Sequence, residues 1–226
     1  MELLHELLHS VYFDRKIEGD FLEAGVWRGG SSIYAKGFME AYELTNARVW
    51  LLDSFRGLPE QTRSLDDPTA NWHLHDYLAV PKEQVEDHFR RYLLFDERVK
   101  FVEGFFQQSL PNLVRSGSLT RPLGILRIDC DTYSATLEVL CFLYESVHVG
   151  GYCIADDFEI QESRRAILDF LRGQNITSRI VPVGDGKAAW FEKTSEVSVD
   201  SLWCRRQLGS SPILYRHPAR LWYMKL

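Results

Sequence analysis

Four aspartates in two short segments have the chemistry of a cation site. Asp129 and Asp131 close LGILRIDCD, and Asp156 and Asp157 close VGGYCIADD, each an apolar run that ends abruptly in acid. If the two runs are neighbouring strands, their carboxylates gather at one sheet edge. That is unfavourable unless a proton or a cation is shared among them. A hard divalent ion with oxygen ligands is the simplest remedy. Adjacent residues on an ideal strand point to opposite faces. Asp156 and Asp157 can therefore serve one ion only where the strand breaks into a loop.

Two further acids belong with these, Glu23 in DFLEAGV and Asp53 at the end of RVWLLD. In an open parallel sheet, ligands bind beyond the carboxyl ends of the strands, near the point where strand order reverses. The turn after Glu23 reads Ala-Gly25-Val-Trp-Arg-Gly29-Gly30-Ser31. Its glycines let the backbone pass close to a ligand, and the next helix offers free N–H groups. Val26 and Trp27 stand where a dinucleotide fingerprint needs its second glycine, and no P-loop lysine follows. S-adenosylmethionine fits such a turn, being cationic at sulfur and carrying ribose hydroxyls for the carboxylates. A tight strand-to-helix turn with no ligand is the alternative.

The elements that must position these residues alternate strand and helix, which favours a mainly parallel sheet covered on both faces. The expectation is an α/β, doubly wound, Rossmann-like sheet of seven strands. Strands fall at 20–26, 48–53, RVKFVEG, LGILRID and GGYCIADD, then SRIVPV and KAAWFEK. The GDG between the last two favours a hairpin, so the last strand should run antiparallel. Residues 57–80 are polar and aperiodic, a loop beside a binding site. Its His73 and His75 either line a substrate pocket or are merely exposed, and Trp27 and Phe55 are expected to pack.

Of 226 residues, 45% are apolar and 13% aromatic, enough for one α/β domain, placed at residues 1–195. Residues 196–226 form a basic, aromatic extension with Arg205, Arg206, Trp203 and Trp222, expected to pack on the domain or on a second subunit in a homo-oligomer. A net charge of -6 gives no reason to expect nucleic acid. No apolar run reaches the roughly 18 residues of a membrane span. The start, MELLHELLHSVYFDRK, is unlike a secretory signal, so the expected location is cytoplasmic. The four cysteines form no CxxC pair, and Cys130 and Cys153, within or at the ends of strands, are expected to be structural thiols.

The motifs GDFLEAGVWRGGSS, LLDSFRGLP, LRIDCDTYSATLEVL and GGYCIADDF resemble the macrocin O-methyltransferase family, from about Ile17 to Lys193. The resemblance implies a class I methyltransferase that uses S-adenosylmethionine and a divalent metal, usually Mg2+, to methylate a sugar hydroxyl of a glycoside or other vicinal diol. It implies Asp129, Asp156 and Asp157 as metal ligands and Asp131 as general base. It places Glu23, Gly25, Gly29, Ser31, Asp53, Ser54 and Gln108 around the cosubstrate. Three departures stand out. The family's N-terminal segment that closes over the cosubstrate lies ahead of the first residue here. Its Lys-Asp-Thr near the adenine is replaced by Gln107, Gln108 and Ser109, and the glycine between the two acids of the fourth strand is Cys130.

Asp131 follows Asp129 by two positions and so can lie beside a hydroxyl held there; capping the next helix is its other possible role. Two rival functions remain, a non-catalytic S-adenosylmethionine-binding or regulatory protein and a metal-dependent hydrolase. The clustered acids argue against the first. The lack of histidine ligands and the unused glycine turn argue against the second.

Overall fold

The computed structural model describes residues 2–60, 66–67, 69 and 71–209. Its seven-stranded sheet has the order β3-β2-β1-β4-β5-β7-β6. Strands β1 (Asp20–Ala24), β2 (Val49–Asp53), β3 (Val99–Glu103), β4 (Leu123–Ile128) and β5 (Val147–Ala155) are parallel. β7 (Ala188–Glu192) runs antiparallel to β5 and to β6 (Val181–Val183), as the Gly-Asp-Gly junction requires. Strand order reverses between β1 and β4, and both carry acids at their carboxyl ends.

Strand alternation divides the core in two. Phe21, Val49, Leu51 and Ile125 face α1 (Glu2–His9), α2 (Gly30–Ala41) and α3 (Lys82–Arg91). Leu22, Trp50, Leu52, Leu126 and Ile128 face α4 (Phe106–Ser116), α5 (Tyr133–Leu143) and α6 (Gln161–Gly173). Each large apolar side chain removed from water here contributes about 1.5–3 kcal/mol before its ordering cost. Helix α5 is apolar almost all round because it lies between α4, α6 and the sheet, with α7 (Ser201–Leu208) across it. Residues 2–14 carry no expected element. There α1 buries Leu4, Leu7 and Leu8 and continues through a wider turn at Ser10–Asp14 that buries Val11.

The extension folds back on its own chain. Asp200 caps α7, Trp203 packs edge-on to Phe170, and Cys204 and Leu208 are buried. Arg216, Arg220, Lys225, Tyr215, Trp222 and Tyr223 lie outside the described residues. Cys130 and Cys153 are free and buried, as expected, while Cys141 of α5 and Cys204 of α7 form a disulfide. A separation of 63 residues gives no spacing signal; only the docking of α7 on α5 brings the two sulfurs together.

A cross-link of this span commonly stabilises by about 2–4 kcal/mol. Air-oxidised protein, denatured and alkylated without reductant, should take up label at two of its four cysteines. A Cys204→Ser variant should melt at a lower temperature. Labelling at all four positions under those conditions rules the bond out.

Candidate active site

Parity and register bring the acids together. Glu23 of β1 lies opposite Arg127 of β4, and Asp129 follows two residues later on the same face. The Asp156 amide donates to the Ile128 carbonyl at 2.9 Å, which carries the pairing of β4 and β5 one step past the strands. β5 ends at Ala155 and residues 156–159 form a turn, the break that a shared ion demands. Carboxylate oxygens of Asp129, Asp156 and Asp157 lie within 4.8 Å of one another.

A cation already stands among them. The Arg127 guanidinium donates from Nη1 to Glu23 Oε1 at 2.6 Å and to Asp129 Oδ2 at 2.7 Å, and its Nη2 pairs with Asp156 Oδ1 at 2.7 Å. Burial works against that charge, but the three carboxylates outweigh it and hold Arg127 above its ordinary value. Glu23 is itself buried, and its second oxygen accepts the Ser32 hydroxyl. Burial pushes Glu23 up to about 7 despite Arg127. Removing one partner of a buried pair of this kind costs about 3–5 kcal/mol.

The other acids are crowded. Burial, then the charges of Asp129 and Asp131, push Asp157 up to about 9, although it accepts the Asp131 amide at 2.9 Å. Burial raises Asp129 too, opposed by Arg127. Asp131 is raised to about 6 by its depth and by Asp129, Asp156 and Asp53. It does not cap α5; the Thr132 hydroxyl does, accepting from the Ala135 amide.

A cavity of about 280 Å³ opens beside these groups. Gly25, Val26, Trp27, Asp53, Ser54 and Gly57 form one side, and Asp129, Cys130, Asp131 and Thr132 another. Gln107 reaches the lining, whereas Glu23, Gly29, Ser31, Gln108, Asp156 and Asp157 stand outside it. Asp53 braces the glycine turn: Oδ2 accepts the amides of Val26 (2.7 Å) and Trp27 (3.4 Å), and Oδ1 that of Phe55 (2.8 Å). Gly25 has φ +84°, and a Cβ there would meet the Asp129 carbonyl oxygen at 1.6 Å. Cys130 is a buried thiol that donates to the Ala24 carbonyl at 3.3 Å.

Phe55 packs on Phe101 as expected, but Trp27 is 45% exposed at the rim and donates its indole N–H to the Tyr77 carbonyl at 2.9 Å. Residues 57–80 do border the cavity, through Gly57, Leu58, Pro59, Glu60, Asp66 and Leu78; His73 and His75 are not in its wall. Asp66 is buried and accepts the Ser134 amide at 2.8 Å and its hydroxyl, so this loop is pinned to the first turn of α5. No sequence spacing points to that contact. Arg127 did leave a signal: one charge inside an apolar strand needs partners.

A doubly wound sheet with an antiparallel last strand, a glycine turn after β1 and acids beyond β4 and β5 defines the class I methyltransferases. The O-methyltransferase NovP has this fold with a TM-score of 0.78 at 30% identity, over 85% of this chain and 80% of that one. The family described as macrocin O-methyltransferase matches residues 1–193, so the likeness reaches the first residue instead of starting near Ile17. The mycinamicin III 3''-O-methyltransferase of Micromonospora griseorubida is 34% identical over 200 residues, 84% of this chain and 76% of the relative. The 8-demethyl-8-(2,3-dimethoxy-alpha-L-rhamnosyl)-tetracenomycin-C 4'-O-methyltransferase of Streptomyces olivaceus is 37% identical over 182 residues, 79% of this chain and 67% of the relative. The chain belongs to the macrocin O-methyltransferase family and is an O-methyltransferase.

The contact of Gly25 with β4 gives a test of the site's frame. Gly25→Ala should cost at least about 3 kcal/mol, seen as a lower urea midpoint. Gly30→Ala, whose Cβ would meet nothing within 4 Å, should be neutral. Equal midpoints for the two variants would contradict the backbone contact described here.

Proposed function

We propose that the chain moves the methyl group of S-adenosylmethionine to a hydroxyl of a sugar or other vicinal diol on a small-molecule glycoside, with Mg2+ as cofactor. The convergence of Asp129, Asp156 and Asp157 beside the cavity carries this reading. These side chains offer only hard oxygen donors, the set that suits Mg2+. The crowding that raises Asp157 is what a divalent ion relieves. When bound, such an ion supplies Lewis acidity that makes a nearby hydroxyl easier to ionise.

The protein's own groups do the rest. Gly25, Asp53 and Ser54 border the cosubstrate, with Glu23, Gly29, Ser31 and Gln108 behind that wall, and the surrounding carboxylates favour its sulfonium charge. Asp131 lines the cavity two residues from Asp129 and takes the hydroxyl proton. Leu58, Pro59, Leu78, Phe105 and Phe106 give the cavity apolar sides that exclude water. Holding the hydroxyl in line with the methyl group supplies much of the rate.

Residues 1–195 form the catalytic domain in this reading, and 196–226 an extension whose α7 closes on α5. Among the described residues no helix is long and apolar enough to cross a membrane. The cytoplasm is the proposed location, and its reductants would keep Cys141 and Cys204 largely as thiols. Nucleic acid has no part in the reading, and self-association remains compatible with it.

Turnover on a panel of glycosides should vanish with EDTA and return with Mg2+. Asp131→Asn should lower kcat by about 10²–10⁴ while S-adenosylhomocysteine still binds, measured by calorimetry. Full turnover in EDTA would sink the metal reading, and binding without turnover on any glycoside would favour a non-catalytic role.

A further inference from the structure

Arg127 is the buried cation that the methyl-transfer scheme leaves without a task. Its guanidinium reaches acids after three strands: Glu23 within β1, Asp129 just past β4 and Asp156 just past β5. Each aspartate gives it one oxygen, Oδ2 of Asp129 and Oδ1 of Asp156, so the guanidinium takes only one oxygen of each. Glu23 has none to spare, since Oε1 takes Arg127 and Oε2 takes the Ser32 hydroxyl. Glu23 also stands outside the cavity lining. Its contacts are those of an anchor.

We infer that Arg127, anchored by Glu23, is a positioning residue that holds Asp129 and Asp156 each with a single oxygen presented to the divalent ion. This rests on the metal reading above. A planar fork bonded at both nitrogens fixes the direction of its partners, which a point charge does not. It also offsets part of the repulsion among the aspartates, so the ligand set stays assembled before an ion arrives. Outer partners of metal ligands commonly change metal affinity 10–100-fold.

The test uses Mn2+ alone as the probe, titrated into the full chain and followed by its electron spin resonance signal. Metal-free S-adenosylhomocysteine binding is measured alongside. Arg127→Lys keeps the charge but loses the fork, and should weaken Mn2+ binding about 10–100-fold. Glu23→Gln keeps the shape but slackens the anchor, and should weaken it several-fold. S-adenosylhomocysteine affinity should stay unchanged in Arg127→Lys, whose side chain borders no part of the cavity. Should Arg127→Lys fail to fold, Glu23→Gln carries the test. Unchanged Mn2+ affinity overturns the inference, and so does a parallel loss of both ligands, which marks a merely structural role. Failure of the unaltered protein to bind Mn2+ at a site lost in Asp157→Ala is the separate result that overturns the metal reading itself.

Discussion

Like charges collected at the end of a sheet repel one another unless something answers them, and in this protein a single guanidinium does much of that work. Arg127 sits where the register of β1, β4 and β5 brings Glu23, Asp129 and Asp156 within its reach. Strand order, parity and the turn after Ala155 all bear on that one contact set. Shifting β4 by one residue would turn Arg127 and Asp129 to the opposite face and leave Glu23 buried without its cation. Register is thus fixed by charge as well as by the apolar alternation of the core.

The cavity is framed by strained backbone. Trp27, Phe55 and Asp131 follow β1, β2 and β4, and all three have positive φ, at 47°, 54° and 58°. Such conformations cost of order 1–3 kcal/mol each and persist where surroundings over-determine them. Here the surroundings are acids: Asp53 accepts the amides of Trp27 and Phe55, and Asp157 accepts that of Asp131. The same carboxylates that border the site also hold its turns open.

Much of this was legible in the sequence. Apolar strand-like runs alternating with helical stretches pointed to the doubly wound sheet, and acids at run ends marked the candidate site. The break after Ala155 was expected because Asp156 and Asp157 can serve one ion only off the strand. What escaped depends on tertiary approach. The Asp66–Ser134 contact spans 68 residues with no motif at either end. The Cys141–Cys204 bond depends on where α7 lands. Arg127 was visible but read as one more position of a strand, because its partners are neighbours only once the register is known. The resemblance to the family places Glu23 and Ser31 beside the cosubstrate. The hydroxyl that meets Glu23 comes from Ser32, the next residue along the turn.

Gly25 lies so close to the Asp129 carbonyl that a side chain there would overlap it, which sets the ends of β1 and β4 directly against each other. The proposed donor wall and the acid cluster therefore cannot be adjusted separately. In the proposed reading, acceptor preference is set by the part of the segment between Gly57 and Val80 that touches the cavity. Chemistry and selectivity are thereby lodged in different parts of the chain, and the second can drift while the first stands still.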